Sequence, residues 1–286
     1  MRVEAALEER VIEDRFVDVG TARIAVRLAG ETARGIATKP LALFVHGYPL
    51  SSHMWLAAMH SALAQHRTLC AIDLRGHGRS PWALDETHSM ELFADDLAMV
   101  ARTLSDDPVD VVALSMGGYA ALAMCERHPD AIHSLALVDT KATADTDAAK
   151  EGRKAMAKGV LEHGRSWLRA QMLPKLLADA ASPSVRAQLT SMIESTPVET
   201  ILADLAGMAQ RPDRTHVLGS VSFPVLAVVG ALDALTPVSD AEAICRAAKA
   251  RGSLAVIEGS GHMAPMEKPA EFADAMLAFW QSKPAN

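Results

Sequence analysis

The octapeptide Val111-Val112-Ala113-Leu114-Ser115-Met116-Gly117-Gly118 runs from apolar residues into a serine with small residues packed around it. A serine hydroxyl is a weak nucleophile. A tight strand-to-helix turn is one way to present its Oγ beyond a sheet and leave backbone N–H groups free nearby. Such a turn admits almost no side chain two residues before or after the serine. Ala113 and Gly117 stand at those positions, so the motif reads A-x-S-x-G, one methyl group away from G-x-S-x-G. An ordinary strand–turn–helix junction has the same look, so the serine needs partners. Two later apolar runs supply them, 225–229 leading to Asp233 and 254–257 leading to Gly261-His262. Ser115, His262 and Asp233 then have the types required of nucleophile, general base and orienting acid in acyl transfer. Asp139, which also ends an apolar run before His262, competes for the acid. Asp233 is preferred because Gly230 and Thr236-Pro237 bound a loop that can carry a carboxylate to a histidine loop. Asp139 leads directly into the next segment, where its carboxylate suits a helix cap or hydrogen-bond acceptor.

Positioning these groups requires strands that end at one edge. Residues 16–28 alternate loosely around Gly20-Thr21 and predict a pair of edge strands; Leu41–Val45, Thr68–Ile72, Val109–Leu114, 135–138, 225–229 and 254–257 are continuous apolar runs, as expected where both faces are covered. Helical patterns alternate with them, visible at Phe93, Leu97, Val100 and Leu104 and again at Phe272, Met276 and Phe279. That alternation predicts a mostly parallel sheet. Residues 142–212 break it. No strand signal occurs there, and apolar residues fall at helical spacing between Gly164, Pro183 and Pro197. A helical cap over the carboxyl ends of the strands follows, placed to wall the site and exclude water. Its Met156, Met172, Met192, Met208 and Trp167 read mainly as helix core, with Trp167 and Met172 the candidates for facing a substrate.

The chain resembles the α/β-hydrolases from about residue 16 to about residue 280, on His46-Gly47-Tyr48-Pro49, Asp73-Leu74-Arg75-Gly76-His77-Gly78-Arg79-Ser80, the serine turn and Gly261-His262. The order Ser, acid, His is that of their triad. Within the superfamily, the serine turn, the segment 137–142 and the length of the insertion are similar to the oxoadipate enol-lactonase and small carboxylesterase branch. The resemblance implies an α/β fold with a mostly parallel eight-stranded sheet flanked by helices, a core of residues 1–141 and 213–286, and a helical cap of residues 142–212. It implies a serine hydrolase of a small carboxylic ester or lactone, acting through an acyl-enzyme on Ser115, His262 and Asp233. The backbone N–H groups of Tyr48 and Met116 are the expected oxyanion donors, Gly47 allows close approach, and Pro49 is a candidate for a cis bond. Perhydrolysis or carbon–carbon bond hydrolysis on the same triad, and a ligand-binding member with little turnover, are the alternatives. Dehalogenase and epoxide-hydrolase chemistry needs an aspartate where Ser115 stands.

Composition narrows the partners. At 286 residues and 50% hydrophobic the chain can hold one large domain with an insertion, and a net charge of -7 argues against nucleic acid. Residues 1–14 are charged and mixed, without an apolar signal core, and no run has the length of a membrane span. Cys70, Cys125 and Cys245 are few, scattered and in apolar surroundings, which predicts buried reduced thiols and a cytoplasmic protein. No metal site is expected: His53, His60 and His66 fall on one predicted helix without a carboxylate at ligand spacing. No cofactor is expected either, since Gly259-x-Gly261 is too short for a phosphate loop. His46 and His77 read as structural, Asp73 and Arg75 as turn and packing residues, and Asp95-Asp96 as a solvated helix face. A basic group of the insertion, Arg153, Lys154, Arg165 or Arg169, would have to point inward to meet a carboxylate on a substrate, and all four read as surface charges.

Overall fold

The computed structural model describes residues 12–282 apart from 31, 34, 35 and 84, so most of the charged stretch 1–14 lies outside the described residues. Its strands are β1 (Ile12–Val19), β2 (Ala22–Ala29), β3 (Thr32–Ala33), β4 (Ile36–Ala37), β5 (Leu41–Val45), β6 (Thr68–Ile72), β7 (Val109–Leu114), β8 (Ile132–Val138), β9 (Val225–Gly230) and β10 (Gly252–Ile257). Its helices are α1 (Leu56–Met59), α2 (Leu63–His66), α3 (Met90–Leu104), α4 (Met116–Arg127), α5 (Asp147–Leu176), α6 (Pro183–Ser195), α7 (Val198–Gln210), α8 (Thr215–Leu218), α9 (Val238–Ala248), α10 (Ala264–Glu267) and α11 (Pro269–Gln281).

Eight strands form one sheet in the order β1-β2-β6-β5-β7-β8-β9-β10, and β3 pairs with β4 as a separate hairpin. β1 and β2 are antiparallel, joined at Gly20-Thr21 with Gly20 at φ 70°, a conformation open to glycine at little cost. β2 joins β6 antiparallel, and every later pairing is parallel. Only β1 of the expected edge pair is an edge, because the other side of β2 is taken by β6. Every residue of β5, β6, β7 and β9 is buried, the condition their unbroken apolar runs anticipate. β5 lies between β6 and β7, so the chain turns one way after β5 and the other way on returning to β7. The carboxyl ends there open a crevice, and the loops after β5 and β7 meet in it.

The helices cover both the sheet and that crevice. α3 begins at Ser89, whose hydroxyl accepts from Leu92 N at 3.1 Å, and buries Phe93, Leu97, Val100 and Leu104. Between β8 and β9 stand α5 to α8, with no strand among them. α5 starts at the N-cap Thr146 and bends at Gly164, whose φ of 76° and ψ of -172° interrupt the helix. α7 holds this insertion to the loops below: Thr200 Oγ1 donates to Gly76 O at 3.0 Å, and Asp204 Oδ1 lies 2.8 Å from His88 Nδ1. Thr196, just before α7, donates to Pro49 O at 2.9 Å.

Several expectations are corrected. His53, His60 and His66 do not share a helix: a 3-10 turn (Ser52–Trp55), α1 and α2 divide the segment, and His60 falls between α1 and α2. Asp95 faces partly outward, with Arg127 and His128, but Asp96 is buried and receives Arg75 Nε at 2.5 Å and Nη2 at 2.8 Å. Consecutive helical positions point about 100° apart, and the side facing the loop after β6 needs an anion for Arg75. Cys70 and Cys125 are buried, whereas Cys245 is partly exposed and donates from Sγ to Ser253 O at 3.0 Å.

Candidate active site

Ser115 joins β7 to α4 at φ 54° and ψ -115°, a backbone conformation costing on the order of 1–3 kcal/mol for a residue with a Cβ. Small neighbours allow it. A Cβ on Gly117 would stand 2.6 Å from Val45 O and 2.7 Å from His46 O, and one on Gly118 would stand 2.6 Å from Thr140 Oγ1. Ala113 lies within β7, paired with Val45 and Leu137, where its methyl is fully buried; the sheet accepts the A-x-S-x-G form. Ser115 N donates to Val138 O at 3.0 Å, and Thr140 Oγ1 donates to Ser115 O at 2.8 Å, so β8 braces the turn from one side.

The loop after β5 braces it from the other. A Cβ on Gly47 would come within 2.9 Å of Leu114 Cδ2 and 3.2 Å of Ser115 Cβ, so glycine lets Tyr48 approach the serine turn. The Tyr48–Pro49 bond is cis. Met116 is the first residue of α4, where a helical N–H has no partner within its own helix. The amides of Tyr48 and Met116 thus belong to the two chain segments that flank Ser115. His46 and His77 sit beneath this loop. His46 Nε2 accepts from Leu74 N at 3.0 Å, and burial, aided by the neighbouring His77, lowers its pKa to about 4.

His262 reaches the same place from the loop after β10. Its Nδ1 lies 2.8 Å from Asp233 Oδ2, and that carboxylate also accepts from Thr236 Oγ1 at 2.7 Å, Leu235 N at 2.8 Å and Thr236 N at 3.1 Å. Burial works against the Asp233 charge, yet the bond and charge of His262, together with Thr236, hold its pKa below the usual carboxylate value. Burial likewise opposes the His262 cation, and Asp233 more than offsets it, so the histidine pKa is raised. With Nδ1 turned to the carboxylate, Nε2 is the nitrogen left to exchange a proton with a substrate or serine.

Asp139 does not start the insertion as the sequence suggested. At φ 44° it directly follows β8, and its carboxylate crosses to accept from Gly230 N at 2.8 Å and Ala264 N at 3.2 Å, tying the end of β9 to the histidine loop. The cap of the next helix is Thr146 instead. Burial pushes Asp139 up to about 7, against the pull of His262. Glu267, unmarked by any motif, does related work: Oε1 accepts from Gly261 N and Oε2 from Ala178 N, each at 2.9 Å, which clamps the histidine loop to the segment just after α5.

Ser115, His262 and Thr236 open on a cavity of about 440 Å³, a size suited to a small ligand. The insertion contributes Met156, Met172, Leu176 and Met208 to its wall. Of the two pocket candidates, Met172 lines the cavity and Trp167 does not. Trp167 lies across the Gly164 bend, its ring over Gly159 where any Cβ would collide with it and 6.0 Å from the ring of His163. Tyr48 lines the cavity too, and its hydroxyl is buried without a hydrogen-bond partner among the described residues. Arg153 points inward to the cavity, against expectation, because Asp145 holds it there. The other three follow expectation: Lys154 pairs with Glu151, Arg165 with Thr196 O and Arg169 with Glu194. A larger hollow of about 640 Å³ between α5 and α7 has neither Ser115 nor His262 on its walls. No helix of the described residues is long and apolar enough to cross a membrane.

A family model described as alpha/beta hydrolase fold matches residues 40–269. A pimeloyl-[acyl-carrier protein] methyl ester esterase of Neisseria meningitidis is 33% identical over 239 residues, covering 79% of this chain and 72% of that protein. An esterase of Mycobacterium tuberculosis is 25% identical over 240 residues, covering 80% of this chain and 79% of that one. Among solved structures, a thermophilic esterase from Thermogutta terrifontis, malate bound, superposes with a TM-score of 0.83 at 32% identity, over 96% of this chain and 98% of that one. The enol-lactonase from Burkholderia xenovorans LB400 superposes at 0.82 with 21% identity, over 94% of this chain and 100% of that one, a likeness of fold alone.

Proposed function

Because the chain belongs to the alpha/beta hydrolase fold family and its relatives include esterases, we propose that it hydrolyses a small carboxylic ester or lactone through an acyl-enzyme on Ser115. Ser115 Oγ attacks the carbonyl carbon while His262 Nε2 takes its proton. The oxyanion is received by the N–H groups of Tyr48 and Met116, preorganised donors that act where charge develops. Collapse of the intermediate breaks the acyl–oxygen bond, and the leaving alkoxide takes the proton from His262. Water then adds to the acyl-enzyme, with His262 as base, and releases the acid and free Ser115. Asp233 keeps Nδ1 protonated and steadies the cation that forms in both halves. The insertion serves as the cap, its methionines shaping the acyl site and excluding water.

One observation carries this reading: a serine on a strained strand-to-helix turn and a histidine bonded through Nδ1 to a carboxylate face one cavity. An activated aryl ester is expected to give a burst of product, and a fluorophosphonate to label Ser115. Ser115→Ala should cut kcat by roughly four to six orders of magnitude with the fold retained, since the members of a triad act as a unit. Label on another serine, or an alanine variant within tenfold of the parent, refutes the assignment.

A further inference from the structure

The cavity beside Ser115 is more basic than a pocket for plain alkyl esters requires. Lys141, Arg153 and Lys175 line it against a single carboxylate, Asp145. That carboxylate is shared, since Arg211 Nη1 also meets it, at 2.8 Å. Two guanidinium groups on one buried carboxylate leave a positive charge uncompensated at the wall. Lys141 and Lys175 form no ion pair among the described residues, although Asp240, outside the cavity lining, lies near enough to Lys141 to feel its charge. The surplus is local, because the chain as a whole carries -7.

Arg153 is also held in place, at the wall between this cavity and the larger hollow. Its Nε and Nη2 are held by Asp145, while Nη1 meets the thioether of Met208 at 3.3 Å. Sulfur is a weak acceptor, and Met208 itself faces the cavity, so a guanidinium N–H is left at the wall without a strong oxygen partner. A carboxylate is the group such a fork receives best, through charge-assisted hydrogen bonds. The methionine and leucine side chains around it exclude water and reduce screening.

We infer that the substrate is a half-ester of a short dicarboxylic acid, its free carboxylate received by Arg153 and drawn in by Lys141 and Lys175. The inference rests on the esterase reading above and names the acyl group for it.

Methyl half-esters of five- to eight-carbon diacids, the matching ω-amides and methyl alkanoates of equal length test it. The amides are neutral and nearly isosteric. At the best chain length kcat/KM for the carboxylate should exceed that for the amide by roughly tenfold or more at low salt, mainly through KM, and the advantage should shrink several-fold at high salt. Lys141→Gln and Lys175→Gln alter side chains that reach solvent, and each should lower the carboxylate-to-amide ratio roughly two- to fivefold. Arg153→Gln should remove most of the ratio, and Arg153→Lys should restore part of it, because the charge returns without the fork. Arg153 also holds Asp145; if its variants fail to fold, the two lysine variants decide. A ratio of one or less at every length, or a ratio unmoved by both lysine variants, overturns the inference. Cleaved alkanoates with Ser115 labelled and a flat ratio leave the esterase reading standing and sink this one. No cleavage of any ester and no label on Ser115 sink both.

Discussion

Two carboxylates flank His262, and what they touch divides their work. Asp233 gives Oδ2 to the imidazole, whereas Asp139 spends both oxygens on backbone amides and affects the histidine only through its charge. Asp233→Asn offers the imidazole an amide and favours the wrong tautomer, so kcat should fall by roughly four orders of magnitude with the fold kept. Asp139→Asn presents an NH2 group to one of two backbone donors, a mismatch costing on the order of 1–3 kcal/mol that should appear as a lower Tm, with most turnover retained. The pH profile separates the two further. His262 must be neutral to accept the serine proton, and its pKa is raised by Asp233 and, to a lesser degree, by Asp139. In the parent protein kcat/KM should therefore decline with falling pH through an apparent pKa above the ordinary 6.5. Removing the Asp139 charge lowers the histidine pKa, so the acidic limb of Asp139→Asn should move to lower pH. A limb that stays put, or moves upward, contradicts the coupling.

The α5 helix carries both the wall of the cavity and the brace behind it, and its bend at Gly164 determines which residue does which. Met172 lies on the cavity side, so Met172→Trp should change relative rates across acyl lengths by roughly tenfold or more while Tm moves little. Trp167 fills the space over Gly159, so Trp167→Ala should lower stability by roughly 3 kcal/mol or more and leave the ranking of substrates alone. Initial rates on a homologous ester series, together with thermal melts, test both. The bend is also where sequence reasoning stops. Helical spacing alone puts Trp167 and Met172 on comparable footing, and only the positive φ of Gly164 sends the indole back along the helix. Strands are legible for the opposite reason: β5, β6 and β7 are buried on both faces, so their apolar runs and their bounds coincide. β8 begins three residues before its apolar run, because His133 and Ser134 are polar yet satisfied by Asp110 at 2.8 and 2.5 Å. Ser115 and Asp233 are visible because each follows a buried run, and His262 because it follows the apolar residues of β10, although that edge strand is largely exposed. Arg153 is not, since its partner Asp145 lies in a loop without periodicity.

Holding the insertion over the sheet is the task of a polar cluster with almost no exposure. Asp204 of α7 receives His88 Nδ1 at 2.8 Å and stands 2.9 Å from His77 Nε2, and all three side chains are fully buried. The ring of His77 lies 4.7 Å from that of His46, which burial keeps neutral. Three chain segments, the loops after β5 and β6 and the approach to α3, thus depend on one carboxylate supplied by the insertion. Such a pair is a weak source of net stability while intact, because desolvation consumes most of its attraction, but breaking it leaves a buried charge unmatched. Its pH dependence has two limits. Burial lowers the His77 pKa, but Asp204 more than reverses this, so His77 is raised; its contribution is complete below the unfolded value of 6.5 and is lost as pH rises through the higher folded value. Burial raises Asp204, but His77 and His88 more than reverse that, so its pKa is lowered; its contribution is complete above the unfolded 3.8 and is lost as pH falls through the lower folded value. Stability from this cluster is therefore greatest between about pH 4 and 6.5 and declines on the alkaline side. Asp204→Asn should lower Tm at pH 6 by roughly 5–15 °C, the consequence of breaking a buried pair in a chain of this size. It should also flatten the fall in Tm between pH 6 and 9. Melts of the two proteins across that range decide the matter: equal slopes would mean that His77 carries no proton in the folded state, and the insertion would then be held by packing and neutral hydrogen bonds alone.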